Sequence, residues 1–204
     1  MISKFQKTET LKAELLKFGV ESVDFEKVMR IALRNGAALA EFFFEDKESS
    51  RVIFEGGKVE KIVDGCDRGV GLRILFDNRS VYGYTTDLSQ SSLEKLAEAL
   101  SAAVTQSDSK AEVVEWRATE QPNREIASYR IQKNPRQIEL KDKVALAERG
   151  EKAAREILPD ARQITSVVLD SFRKILTVNS DGAIGRDQKT YLQMYVQVVG
   201  EKEG

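Results

Sequence analysis

The chain has 204 residues, 41% of them apolar and 32% charged, the composition of a globular protein rich in charge. Its 32 basic and 33 acidic side chains leave a net charge of −1, so no bulk field draws it to nucleic acid or to an anionic membrane. Histidine is absent and cysteine occurs once, which excludes His-based general acid–base catalysis, Ser-His and Cys-His nucleophiles, almost all catalytic zinc sites and an internal disulfide.

The N-terminal stretch lacks the apolar core of a signal peptide, and no apolar run approaches the roughly 18 residues of a membrane span. With a lone Cys66 suited to a reducing compartment, the expected location is cytoplasmic. From Lys7 to Phe18 an amphipathic helix is expected, with Leu11, Leu15 and Phe18 on one stripe and Gly19 as its stop. Asp24 can cap a second helix, which buries Phe25, Val28, Met29 and Ala32 and ends at Asn35-Gly36. Ala40 to Glu45 then reads as a strand whose three successive phenylalanines face both ways.

The stretch from Arg51 to Thr86 organises the chain. Glu55-Gly56-Gly57-Lys58, Asp64-Gly65-Cys66-Asp67 and Asp77-Asn78-Arg79 divide it into four short strand-like runs, which leaves room only for an antiparallel meander. Val70, Leu72, Ile74 and Phe76 give its third run one apolar face, while Gly69, Gly71, Arg73 and Leu75 point the other way. A helix after Asp87, with its start at either Asp87…Gln90 or Ser91…Glu94, carries Leu93, Leu96, Ala97, Leu100 and Val104. This helix and the one capped by Asp24 are expected to cover the Val70/Leu72/Ile74/Phe76 face.

Periodicity fades from Thr105 to about Glu139, which reads as a surface connector anchored by Trp116. Leu140 to Ile157 is a helix with Val144, Ala147, Ala154 and Ile157 inward, ended by Pro159. Strands follow at Ile164–Leu169 and Arg173–Val178, then a tight hairpin at Asn179-Ser180-Asp181-Gly182 and an alternating strand at Tyr191–Val199. The closing Glu201-Lys202-Glu203-Gly204 resembles a hairpin turn without its returning strand, as if the chain were cut from something longer; Tyr191–Val199 would then be an open edge. The expected fold class is α+β: an antiparallel β-meander with helices on one face, followed by a second, smaller helix-plus-antiparallel-strands unit. The expected division is an N-terminal domain at residues 1–105, a connector at 106–139 and a truncated second unit at 140–204.

Few residues carry chemistry. Gly69-x-Gly71 lacks the third glycine and the following helix of a nucleotide fingerprint. The two glycines either let a peptide or partner backbone approach the sheet, or form a bulge or make room for a neighbour such as Tyr82 or Tyr84. Arg73, on the same face, can hold a peptide carboxylate or pair internally with Asp64 or Glu60. Gly69, Gly71 and Arg73 are therefore the candidates for a substrate or partner face. The aspartates at the turns form no cation-loop pattern, so no metal ligand and no catalytic residue is assigned.

Several short motifs occur in a telling order: Ala32-x3-Gly36-Ala37-x2-Ala40-Glu41, Ser49-Ser50, Gly57-Lys58-Val59-Glu60, Arg68-Gly69-Val70-Gly71-Leu72-Arg73, and Tyr82-Gly83-Tyr84-Thr85-Thr86-Asp87-Leu88-Ser89. Together they resemble the N-terminal region of the TldD/PmbA family, on its TldD branch, and Asn179-Ser180-Asp181-Gly182 resembles its middle region. The resemblance implies a zinc-dependent peptidase, once described as a modulator of DNA gyrase, that works as a homodimer or as a heterodimer with a PmbA-like partner around an enclosed peptide substrate. The family's His-Glu-x-x-x-His zinc helix has no counterpart in a chain without histidine. This chain is accordingly expected to be the non-catalytic N-terminal portion, supplying a dimerisation surface and a wall of the peptide cleft. It needs no cofactor itself, is inactive alone, and leaves zinc to the intact protein. The alternative is a stand-alone module that binds a protein or peptide by strand addition.

Overall fold

The computed structural model describes residues 11–20, 23–104 and 132–201. A helical segment at residues 11–16 (α1) precedes α2 (Phe25–Ala32), β1 (Leu39–Glu55), β2 (Lys58–Phe76), β3 (Arg79–Thr85) and α3 (Gln90–Ala102). A short 3-10 turn at Pro135–Gln137 leads into α4 (Leu140–Ile157), followed by β4 (Gln163–Asn179) and β5 (Ile184–Val199). The strands form one sheet in the order β3-β2-β1-β4-β5. The α+β class expected from the sequence is the one observed.

Local chemistry explains most boundaries. The Asp24 side chain accepts a hydrogen bond from the Lys27 amide at 3.0 Å and starts α2; Asn35 and Gly36, both at positive φ, end it. Gly56 and Gly57 both take positive φ, as do Asp77 and Asn78, which is what two-residue turns need to match strand twist. Of the two possible starts for α3, neither expected capping box is used: Ser89 is the cap and accepts from the Ser92 amide at 3.3 Å.

Two expected breaks are not breaks. Asp64-Gly65-Cys66-Asp67 lies inside β2, which runs unbroken for 19 residues, so the meander has three strands and not four. Likewise Ile164–Leu169 and Arg173–Val178 are one 17-residue strand, β4. In both cases ladder bonds to a neighbouring strand outweigh the local turn preference of Asp, Gly and Ser. Trp116 and the connector up to residue 131 lie outside the described residues.

The chain forms two compact units, one from Met1–Asp46, Arg68–Ile126 and Lys174–Asp187, the other from Lys47–Asp67, Ala127–Arg173 and Gln188–Gly204. In the first unit Val70, Leu72, Ile74 and Phe76 are buried together with Phe42 and Phe44 of β1, Val28 and Met29 of α2, and Leu93 and Ala97 of α3. Phe25 meets Phe42 edge-on at 4.9 Å between ring centres. Leu11, Leu15 and Phe18 join the same core, so the expected stripe holds where it is described. Lys27 and Glu94 tie α2 to α3 at 2.7 Å, and that contact, with Gln90, holds the Glu94 carboxyl below the ordinary glutamate range.

In the second unit the apolar cluster is small: Val52, Phe54, Ala147 and Val168, with Val144 and Leu146 alongside. The inward face of α4 differs from expectation. Lys143, Ala147 and Glu151 are its buried residues, whereas Ile157 stands in solvent at 77% exposure. Spacing of four along the helix puts those three on one stripe, and the sheet beneath supplies a countercharge for the lysine. Gly150 sits on α4 where a side chain would run into Ser166 Oγ and the side chains of Met194 and Val196. Its absent side chain lets the helix lie close to β4 and β5.

Candidate functional site

Two places in the described residues concentrate polar side chains. The first is the sheet face opposite the large core of the first unit. Antiparallel pairing sets Gly71 opposite Tyr84, Arg73 opposite Tyr82 and Val70 opposite Thr85. The Tyr82 ring leans over Gly71, so closely that a β-carbon there would come within 2.6 Å of the phenol oxygen. Gly69 is closed by backbone instead: a β-carbon would meet the Thr85 carbonyl oxygen at 2.9 Å. Both glycines thus accommodate neighbours within the chain, one a side chain and one main chain.

Arg73 Nη2 donates to Glu41 Oε1 at 2.9 Å, with both side chains partly exposed. The internal partner is therefore Glu41 on β1, not Asp64 or Glu60; Asp64 is already held by Arg136 at 3.1 Å. Tyr82 and Tyr84 project beside this pair at 64% and 74% exposure. The face offers two aromatic rings, two phenol hydroxyls and an accessible guanidinium. Such a set can stack on and hydrogen-bond to a peptide or a partner surface, and it contains no nucleophile with a base. The tyrosines were legible as neighbours of the glycines; their exposure depended on the register of β3.

The second place is a buried charge cluster in the second unit. Asp170 of β4, with its side chain fully shielded, accepts through Oδ2 from Lys143 Nζ at 2.5 Å and from Ser50 Oγ at 2.5 Å. Lys143 Nζ also donates to Ser50 Oγ at 3.0 Å. Arg136 reaches Asp170 Oδ1 at 3.5 Å, Asp64 Oδ1 at 3.1 Å and Glu48 Oε2 at 3.4 Å. Burial alone would lower the Arg136 pKa, but Asp64, Asp170 and Glu48 hold it above the ordinary value. Sequence reasoning missed this cluster. In the sequence Ser49-Ser50 stands out only as part of a motif, and the one local signal for Asp170 is a charge in the middle of an apolar run.

Lys143 Nζ donates to both Asp170 and Ser50, and Ser50 Oγ donates in turn to Asp170, so the cluster reads as an ion-pair network and not as a nucleophile with its base. Nor do these residues suit zinc. The chain has no histidine, and among the described residues no group of three or more His, Cys, Asp or Glu could hold a metal ion. Cys66 is exposed. No helix among the described residues is long and apolar enough to cross a membrane.

Comparison with known proteins follows the fold. Two models of one family match the chain: PmbA/TldA metallopeptidase domain 1 over residues 40–105, and the PmbA/TldA metallopeptidase central domain over residues 133–204. Among solved structures, a protein from Bacteroides thetaiotaomicron described as a proposed modulator of DNA gyrase is similar over 88% of this chain and 41% of its own, with 15% identity and a TM-score of 0.66. TldE from Thermococcus kodakarensis is similar over 87% of this chain and 39% of its own, with 15% identity and a TM-score of 0.62. A further proposed DNA gyrase modulator, from Thermotoga maritima, is similar over 85% and 42%, with 14% identity and a TM-score of 0.59. At such identity the likeness is one of fold. The chain spans about two fifths of the length of these structures. No curated protein matches it by sequence.

Proposed function

The chain belongs to the PmbA/TldA metallopeptidase family, and we propose that it serves there as a non-catalytic portion, contributing a dimerisation surface and a wall of the cleft that holds a peptide substrate. The partner is a second copy of the chain or a PmbA-like chain, and the setting is the cytoplasm. Zinc and hydrolysis belong to the intact metallopeptidase. The single observation that carries the reading is the match to two domains of one metallopeptidase family in a chain that has no histidine. The sheet face of Gly69, Gly71 and Arg73, with Tyr82 and Tyr84 beside it, is the cleft-wall candidate, because tyrosine and arginine are enriched among the few residues that carry most of the binding energy at protein interfaces.

A second reading is supported by β5, an outer strand of the sheet on which Tyr191, Leu192, Met194, Tyr195 and Val199 are exposed. A peptide could add to that edge as a further strand, which is the stand-alone interaction module. One titration separates the two. An unstructured fluorescent peptide should bind saturably, shift the amides of Gly69–Arg73 and Tyr82–Tyr84, and lose about tenfold in affinity in Tyr84→Ala. Shifts confined to Tyr191–Val199 would move the assignment to strand addition, and no saturable binding would overturn both. Stoichiometric zinc together with peptide hydrolysis by the purified chain would defeat the non-catalytic assignment.

A further inference from the structure

We infer that Arg136 is an electrostatic latch, which fastens the short turn at the entrance to α4 onto the sheet of the second unit and releases without unfolding that sheet. The turn, Pro135–Gln137, is three residues long and holds itself weakly. Its own bonds are the Asn134 side chain accepting from the Arg136 amide at 3.0 Å, the Gln137 amide donating to the Asn134 carbonyl at 2.9 Å and the Ile138 amide donating to the Pro135 carbonyl at 3.2 Å, and Pro135 is its one buried residue. The guanidinium does more, because it reaches one carboxylate on each of three strands: Glu48 on β1, Asp64 on β2 and Asp170 on β4. In the sheet these strands lie in the order β2-β1-β4, so one side chain spans the middle strand from both sides.

The three carboxylates are unequal, and that makes the contact a latch. Asp170 keeps Lys143 and Ser50 when Arg136 leaves. Glu48 and Asp64 have side chains 44% and 67% exposed, so water takes over their solvation. No buried charge is stranded on the sheet by release. The turn, in contrast, loses every ion pair it has to the strands. The Arg136 side chain is itself 19% exposed, so dissolved salt screens its contacts more than those of Lys143.

Hydrogen exchange on the full chain tests this. In Arg136→Gln, amides from Asn134 to Asp142 should exchange about tenfold faster, with those of Ser50–Phe54 and Ile164–Asp170 changed less than about twofold. Arg136→Lys should fall between, since an ammonium meets the carboxylates as a point charge without the fork of a guanidinium. The unmodified chain in about 1 M salt should shift in the same direction as Arg136→Gln. Unchanged exchange at the turn in both Arg136→Gln and high salt would overturn the proposal. So would protection lost together over the turn, α4 and the strands, or a failure of Arg136→Gln to fold, since each makes Arg136 a part of the core and not a latch.

Discussion

The two units bury one face of a sheet by different means. In the first, Phe42, Phe44, Met29, Leu72, Ile74 and Leu93 are among the largest fully buried side chains, and three helical segments supply the cover. In the second, the apolar cluster has four buried members, and a lysine, an aspartate and a serine are buried in the same unit. The first unit is therefore held by volume and area, which salt and pH hardly touch. The second depends on a satisfied charge network, in which the loss of one member costs more than its contacts alone because it strands the others.

Substitutions can break this contrast. The largest effect is expected from Asp170→Ala, which leaves Lys143 shielded without a countercharge: about 3–5 kcal/mol of stability by urea unfolding. If the network matters through charge and not shape, Asp170→Leu combined with Lys143→Met should recover most of that loss. Next comes Leu72→Ala in the first unit, expected to cost about 3 kcal/mol through lost burial and a cavity, with no dependence on salt. An equal salt dependence for the two variants would erase the distinction between the units. Smallest is the pair of glycines. Gly69→Ala forces a methyl against the Thr85 carbonyl and should cost about 1–2 kcal/mol. Gly71→Ala meets only the far end of the exposed Tyr82 side chain, which can swing aside, so a markedly smaller loss of stability is expected. Thermal melting of both variants ranks them.

Hydrophobic periodicity carried the first unit well. The alternation at Val70/Leu72/Ile74/Phe76, the helical positions Leu93 and Ala97 and the Asp24 cap all read correctly, because each is a local signal that the tertiary core then uses; Val104 is buried too, but from the turn beyond the end of α3. The same rule failed on α4. It selected Ile157 for the interior and passed over Lys143 and Glu151, since a scale of side-chain polarity has no knowledge of a waiting Asp170. It failed again at Asp64-Gly65-Cys66-Asp67, whose turn preference is overruled by a strand neighbour distant in sequence. Of the candidate face, Gly69, Gly71 and Arg73 were legible; Glu41 as the partner of Arg73 was not, because strand register chooses among several acids. Residues of β1, β2, β4 and β5 are each divided between the two compact units.

What this sequence determined by itself was the class, the family resemblance and the chemistry it lacks. The turn residues at Gly56-Gly57 and Asp77-Asn78 fix two hairpins, motif order marks the family, and a chain without histidine cannot build a histidine-ligated zinc site. What only the tertiary structure decided was which charges meet. Asp170, Lys143, Ser50 and Arg136 are separated by up to 120 positions, and their pairing follows from the alignment of β1 with β4 and the docking of α4 above them. Electrostatic energy depends on distance through space, and no local pattern of residues encodes that distance until the strands are in register.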